Sequence, residues 1–269
     1  MCAAVALPLI GTAAEQPAPS LGAPEDMTFK ATFDGTSQNY VQMLPKPFHS
    51  GKPSDVLIAL HGHGSDRWQY VKQERGECKA ARDFAAARGM IYISPDYRDR
   101  TSWMGPAAEA DMVQLIALLR KEHKVRRVFL TGASMGGASV LIFTALHPDL
   151  VDGVSSQNGT ANMVEYQNFQ DAVIVSYGGD KKQKPEEYKK RSAERVPEKF
   201  TMPAAFTVGG KDGYVPPDSV RRLAEKLTKQ NEKNVLIIDR KDGGHETSYE
   251  DTLQTLEFIL ETANGKGKK

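Results

Sequence analysis

The sequence predicts an α/β protein with a mostly parallel central sheet and helices on both faces, and three observations carry that expectation. Short continuous apolar runs recur at Asp55–Leu60 (DVLIAL), Met90–Ser94 (MIYIS), Arg127–Thr131 (RVFLT), Ala204–Val208 (AAFTV) and Asn234–Asp239 (NVLIID), as strands buried on both faces require. Helical patterns separate them, over Cys78–Arg88, Ala107–Lys121, Met135–Leu146, Pro217–Lys229 and Tyr249–Thr262, and such alternation builds a parallel sheet covered on both sides. The loops that follow the runs are HGHGSD, GASMGG, GGKDGYVP and RKDGGHET, and in sheets of this kind chemistry collects past the carboxyl ends of the strands.

Ahead of the first run, Thr28–Phe33 (TFKATF) and Tyr40–Leu44 have the alternation of two antiparallel strands joined by the turn residues Asp34-Gly35. After the central helix, Val151–Ser155 and Asp171–Tyr177 compete for one further strand position. With no internal repeat and no second linker, residues 26–263 read as one domain. Residues 1–25 read as a possible signal peptide and linker: Cys2–Ala14 is apolar or small and ends in Thr-Ala-Ala, a cleavage-like site, although it lacks a basic start. A signal there implies a secreted or periplasmic protein, and its absence a cytoplasmic one. Residues 264–269, with Lys266, Lys268 and Lys269, read as a frayed basic tail.

Composition narrows the function. Among 269 residues, 35 Lys and Arg balance 34 Asp and Glu for a net charge of +1, so the field that gathers phosphates is missing and nucleic acid is not an expected partner. The apolar start is too short to span a bilayer. Two cysteines, Cys2 and Cys78, support neither a disulfide scaffold nor a structural zinc site, and Cys78 reads as a small buried side chain.

Gly132-Ala133-Ser134-Met135-Gly136 fits GxSxG between a strand and a helix, the setting of a nucleophile elbow, where a strained turn exposes the serine and larger residues at the glycines would collide with backbone. A serine hydroxyl needs a base. Of the six histidines, His245 lies in a Gly-Gly-His loop after the last strand, whereas His147 and His123 end helices and have structural explanations. Asp212, in a loop directly after a strand and between serine and histidine in chain order, is the favoured orienting acid; Asp180, beside Lys181 and Lys182, is the alternative. His61-x-His63 resembles the start of a binuclear metal motif, but Gly64-Ser65-Asp66 follows in place of an adjacent Asp-His pair, so neither metal nor cofactor is expected.

HGHG, GASMGG, the D-x-x-V-P pattern at Asp212–Pro216 and GGH, in that order, resemble the α/β-hydrolase family over roughly residues 26–263. Together with PEEYKKRSAERVPEKF they are most similar to the prolyl-oligopeptidase-like branch and its esterase relatives. The resemblance implies an eight-stranded, mostly parallel sheet and a triad of Ser134, Asp212 and His245. It also implies an oxyanion hole from the backbone N–H groups of Met135 and His63. Prolyl oligopeptidases carry a propeller domain ahead of the catalytic one, which 26 residues cannot supply, so esters are expected over peptides.

Trp103 and Tyr214 are candidate substrate-binding aromatics, with Trp103 alternatively pinning the next helix to the sheet. The charged stretch from Asp180 to Lys199 reads as a solvated cap or excursion and argues against a lipid-binding lid. The expected function is a serine carboxylesterase for small or carbohydrate-linked acyl esters. The alternatives are a prolyl-oligopeptidase-like peptidase and a non-catalytic binding protein on the same fold.

Overall fold

The computed structural model describes residues 19–266. The apolar segment Cys2–Ala14, its cleavage-like site and the tail lysines Lys268 and Lys269 lie outside the described residues.

The chain enters through β1 (Ser20–Leu21), β2 (Glu25–Lys30) and β3 (Ser37–Met43), and β1 pairs antiparallel with β4 (Pro45–Lys46). Part of the expected linker is therefore strand. β2 and β3 pair antiparallel around the Asp34-Gly35 turn, where Gly35 takes a φ of +74° and Asp34 Oδ1 accepts the Thr36 N–H. There follow β5 (Ser54–Leu60), α1 (Gln69–Lys72), α2 (Gly76–Ala87), β6 (Ile91–Pro95), α3 (Pro106–Glu122), β7 (Val125–Ala133) and α4 (Met135–Leu146). The second half comprises β8 (Gly153–Gln157), α5 (Gln170–Tyr177), α6 (Pro185–Lys190), β9 (Ala204–Gly209), α7 (Asp218–Asn231), β10 (Val235–Arg240) and α8 (Tyr249–Lys266).

Eight strands form one sheet in the order β10-β9-β8-β7-β5-β6-β3-β2, parallel from β10 to β6 and antiparallel at the β3 and β2 edge. This is the α/β-hydrolase arrangement. Each central strand feeds two cores. In β5, Val56, Ile58 and Leu60 face the layer containing Met112, Leu115, Leu141 and Leu223, while Leu57 and Ala59 face Phe84, Leu256 and Ile259. The uninterrupted apolar runs follow from this burial on both faces.

The competition for a strand resolves in favour of residues 153–157. Ser155 and Ser156 are tolerated inside the sheet because Ser155 Oγ donates to Thr255 Oγ1 and Ser156 Oγ to the Gly137 carbonyl. Residues 170–177 instead form α5, since Val173 and Tyr177, four apart, are buried while Val175 is 82% exposed. Two further expectations are corrected. The stretch 180–199 is no solvated excursion: Tyr188, Arg191, Ser192 and Ala193 are buried, and Arg191 Nη2 lies 2.7 Å from Glu109 and 3.1 Å from Glu187. Its alternating signs pair with each other and with α3. Helix α8 runs on through Asn264 and Gly265 to Lys266, into what read as a tail.

Candidate active site

Ser134 stands at the turn from β7 into α4 with φ +58° and ψ −120°, a conformation that costs strain and aims the side chain out of the sheet end. The glycines around it are required by backbone contact. A Cβ at Gly136 would lie 2.1 Å from the Leu60 carbonyl oxygen, and one at Gly132 would lie 2.6 Å from the Gly136 carbonyl carbon. The Ser134 N–H donates to the Gln157 carbonyl at 2.9 Å, which ties the elbow to β8.

Three loops converge here. His245, in the loop between β10 and α8, has Nε2 2.9 Å from Ser134 Oγ and Nδ1 2.6 Å from Asp212 Oδ2. Asp212 is buried, and its Oδ1 accepts the N–H groups of Tyr214 and Val215 at 2.9 Å each, which fixes the carboxylate plane. Asp180 is elsewhere, accepting the N–H groups of Lys182 and Gln183 at the head of its own turn. His147 bonds Glu109 and His123 bonds Gln42, so both are engaged structurally.

Two N–H groups border the serine. Met135 is the first residue of α4, whose N–H has no intrahelical acceptor. The N–H groups of Gly62, Gly64 and Ser65 donate to Gln69 Oε1, the Arg100 carbonyl and the Gly62 carbonyl, leaving that of His63 without an acceptor among the described residues. The His63 ring accepts the Trp103 indole N–H at Nδ1 (3.1 Å), and burial holds its pKa below the ordinary imidazole value. The neutral ring then carries its proton on Nε2. His61 is buried with Nδ1 2.9 Å from the Gly62 carbonyl and Nε2 3.1 Å from that of Asp96, so both nitrogens face backbone and the metal pair read from His61-x-His63 does not form. Among the described residues no group of three or more metal-ligating side chains converges.

Trp103 is corrected as a rim residue. It is fully buried behind the cleft against Tyr166 and Phe169, with its carbonyl accepting the Tyr177 hydroxyl, and it touches the cleft wall through His63 and Phe169. Tyr214 does line the cleft, 63% exposed, its ring 5.5 Å from that of His245.

The cleft at Ser134 encloses about 370 Å³ between Gly62, His63, Gln69, Gln73, Arg75, Phe169, Tyr214 and His245. Gln69, Gln73, Arg75 and Phe169 were not picked out from the sequence, because the α1 region and the turn before α5 carry no motif. A larger hollow of about 790 Å³ lies behind the loop 240–248 and is lined by none of Ser134, Asp212 and His245. Ser134 and His245 open onto the smaller one.

A model of the prolyl oligopeptidase family (peptidase S9) matches residues 78–266, which include Ser134, Asp212 and His245. The chain belongs to the prolyl oligopeptidase family. Its fold is the α/β-hydrolase fold. The search of curated proteins finds no match. Among solved structures, puromycin hydrolase superposes with a TM-score of 0.71 at 17% identity over 94% of this chain and 41% of its own. The Staphylococcus aureus fluorophosphonate-binding serine hydrolase F gives 0.66 at 18% identity over 90% of this chain and 99% of its own. S-formylglutathione hydrolase from the same organism gives 0.63 at 17% identity over 90% and 99%. This family member thus spans about two fifths of puromycin hydrolase and nearly all of the two staphylococcal hydrolases.

Proposed function

We propose that this protein is a carboxylesterase for small or carbohydrate-linked acyl esters, with Ser134 as nucleophile, His245 as base and Asp212 as the group that orients it. One observation carries the reading: the hydrogen-bonded line from Asp212 through His245 to Ser134 opens into a cleft of about 370 Å³, near the small end of the range for ligand sites. The cleft walls include the polar side chains Gln69, Gln73 and Arg75.

The geometry implies a two-step reaction. Ser134 Oγ attacks the ester carbonyl while His245 Nε2 takes its proton; Asp212 Oδ2 holds the imidazole with Nδ1–H toward itself and stabilises the imidazolium. The charge that develops on the carbonyl oxygen falls to the N–H groups of Met135 and His63, a contribution of about 3 kcal/mol for each such donor in other hydrolases. Collapse of the tetrahedral intermediate expels the alcohol, protonated by His245, and leaves an acyl-Ser134 ester. Water then repeats the sequence and frees the acid.

The staphylococcal hydrolases, 99% of whose length the chain covers, support the ester reading, and the family model with puromycin hydrolase supports a peptide bond as the competing target. The test is a panel of esters differing in acyl length and alcohol, run beside a prolyl-peptide substrate, on the wild type and on Ser134→Ala. Ester kcat/KM above that for the peptide, lost by about 10³-fold or more in a folded Ser134→Ala, is the expected result. Faster cleavage of the prolyl peptide than of every ester would replace the esterase by a peptidase, and an active Ser134→Ala would remove the serine.

A further inference from the structure

We infer that the ester taken by this cleft carries an anionic group, a carboxylate in the simplest case, and that Arg75 is the residue that selects it. The inference deepens the esterase reading and rests on it.

Arg75 is the one side chain of permanent charge in the wall of the Ser134 cleft; the other lining groups are neutral or imidazole, and no carboxylate lines it. It is also held. Its Nε forms a 2.9 Å ion pair with Oε1 of Glu77, whose side chain is only 1% exposed and whose Oε2 accepts the Thr247 hydroxyl two residues beyond His245. The backbone is fixed as well: Arg75 immediately precedes α2, and a Cβ on Gly76 would lie 2.5 Å from the Tyr249 nitrogen, so the start of α2 is pressed against the start of α8. Nearby acids are engaged elsewhere, Glu74 with Arg82 and Asp66 with the Trp68 N–H.

Nη1 and Nη2 have no hydrogen-bond partner among the described residues, and the side chain is 53% exposed. A guanidinium whose Nε side lies against a buried carboxylate presents its two terminal nitrogens as a planar fork, which matches the two oxygens of a carboxylate. A surface arginine free to wander would lose more rotamer entropy on binding. One paired with a buried glutamate has lost part of it already. Glu77 also links this fork to the loop bearing His245, so the anion site and the base share one support.

The experiment compares isosteric ester pairs that differ only in charge: 4-acetoxybenzoate against 4-acetoxybenzamide for an anion on the alcohol side, and a glutarate aryl monoester against its glutaramate for one on the acyl side. In the wild type, kcat/KM for the anionic member of at least one pair should exceed its neutral partner by about tenfold or more, mostly through KM. Arg75→Gln should bring that ratio close to one, with Arg75→Lys in between because a point charge replaces the fork. Should Arg75→Gln leave Glu77 unpaired and fail to fold, the double variant R75Q/E77Q removes both charges together. A ratio near one in the wild type, or a preference that survives Arg75→Gln, overturns the inference while neutral-ester turnover leaves the esterase standing. If no ester is turned over, the esterase fails instead. Arg75 is then read by protection: 4-hydroxybenzoate should slow phosphonylation of Ser134 in the wild type and not in Arg75→Gln, and equal protection overturns the assignment.

Discussion

The two oxygens of Asp212 have separate tasks, one accepting backbone N–H groups from Tyr214 and Val215 and the other facing His245 Nδ1 at 2.6 Å. Asp212→Asn keeps the shape but offers an amide where a carboxylate must accept, so the imidazole adopts the wrong tautomer. Its kcat is expected to fall by about 10³- to 10⁴-fold, against less than about twofold for Asp180→Asn, whose carboxylate serves only its own turn. Steady-state ester hydrolysis by the two variants checks this, and the reverse ranking would move the acid. Gln69 is expected to act as a positioning residue for the proposed oxyanion donor, since its Oε1 accepts the N–H of Gly62, the neighbour of His63. Gln69→Ala should lower kcat by about tenfold with KM little changed, as expected for a donor that acts on the developing charge; Gln69→Glu, which keeps the acceptor, should recover part of it. The sequence named Ser134, Asp212, His245 and Met135 because each sits in a motif with a fixed place after a strand, and His63 through the resemblance to the α/β-hydrolase family. Gln69, Arg75 and Phe169 have no such mark, and only the meeting of three separate loops shows them to be neighbours.

At the scale of elements, the elbow depends on close contact between α4 and the ends of β5 and β8. Cβ atoms at Gly136 and Gly137 would lie 2.1 Å from the Leu60 oxygen and 2.6 Å from the Gln157 oxygen, and backbone cannot swing aside as a flexible side chain does. Gly136→Ala is expected to cost about 1 to 3 kcal/mol, a melting temperature lower by roughly 2 to 10 °C, together with most of the activity. Gly51→Ala, where a Cβ meets nothing within 4 Å, should change neither. Thermal unfolding and ester assays on both variants decide it. The strongly apolar elements were readable because burial leaves a pattern: α4 spans the same residues, Met135–Leu146, in sequence and structure. Residues 170–177 were not, since an apolar run of eight fits strand and helix alike, and only the seating of β8 between β7 and β9 assigns the run to α5.

Across the whole molecule, Glu109 joins three distant parts of the chain: it lies on α3, bonds His147 at the end of α4, and receives the buried Arg191 from the stretch that follows α6. Burial alone would raise its pKa, but the His147 bond and the Arg191 guanidinium outweigh it and bring the carboxyl from 4.5 to about 2. Because the folded value lies below the unfolded one, Glu109 contributes stability above pH 4.5 that disappears as the pH falls through about 2. Glu109→Gln should therefore be less stable than the wild type near neutral pH, by about 3 kcal/mol for loss of one partner of a largely buried pair. The gap should close as the pH falls across that window. Denaturant midpoints measured at several pH values check it, and a gap independent of pH would assign the effect to packing.

The alternation of the main strands and helices, the two-sided burial of the central runs, the elbow at Ser134 and the place of His245 in its glycine loop were determined by the sequence alone. Each depends on local spacing and on the rule that parallel strands end at the working edge of the sheet. Tertiary structure decided what local spacing does not encode. Trp103 lies behind the cleft because Tyr166, Phe169 and His63 enclose it from other elements. The stretch 180–199 is anchored because a carboxylate on α3, many residues earlier, awaits Arg191. Arg75 lines the same cleft as Ser134, and its Nε pairs at 2.9 Å with a buried glutamate two residues on. A charge reads as solvated in sequence whenever its partner is distant along the chain, and burial with that partner is a property of the folded molecule alone.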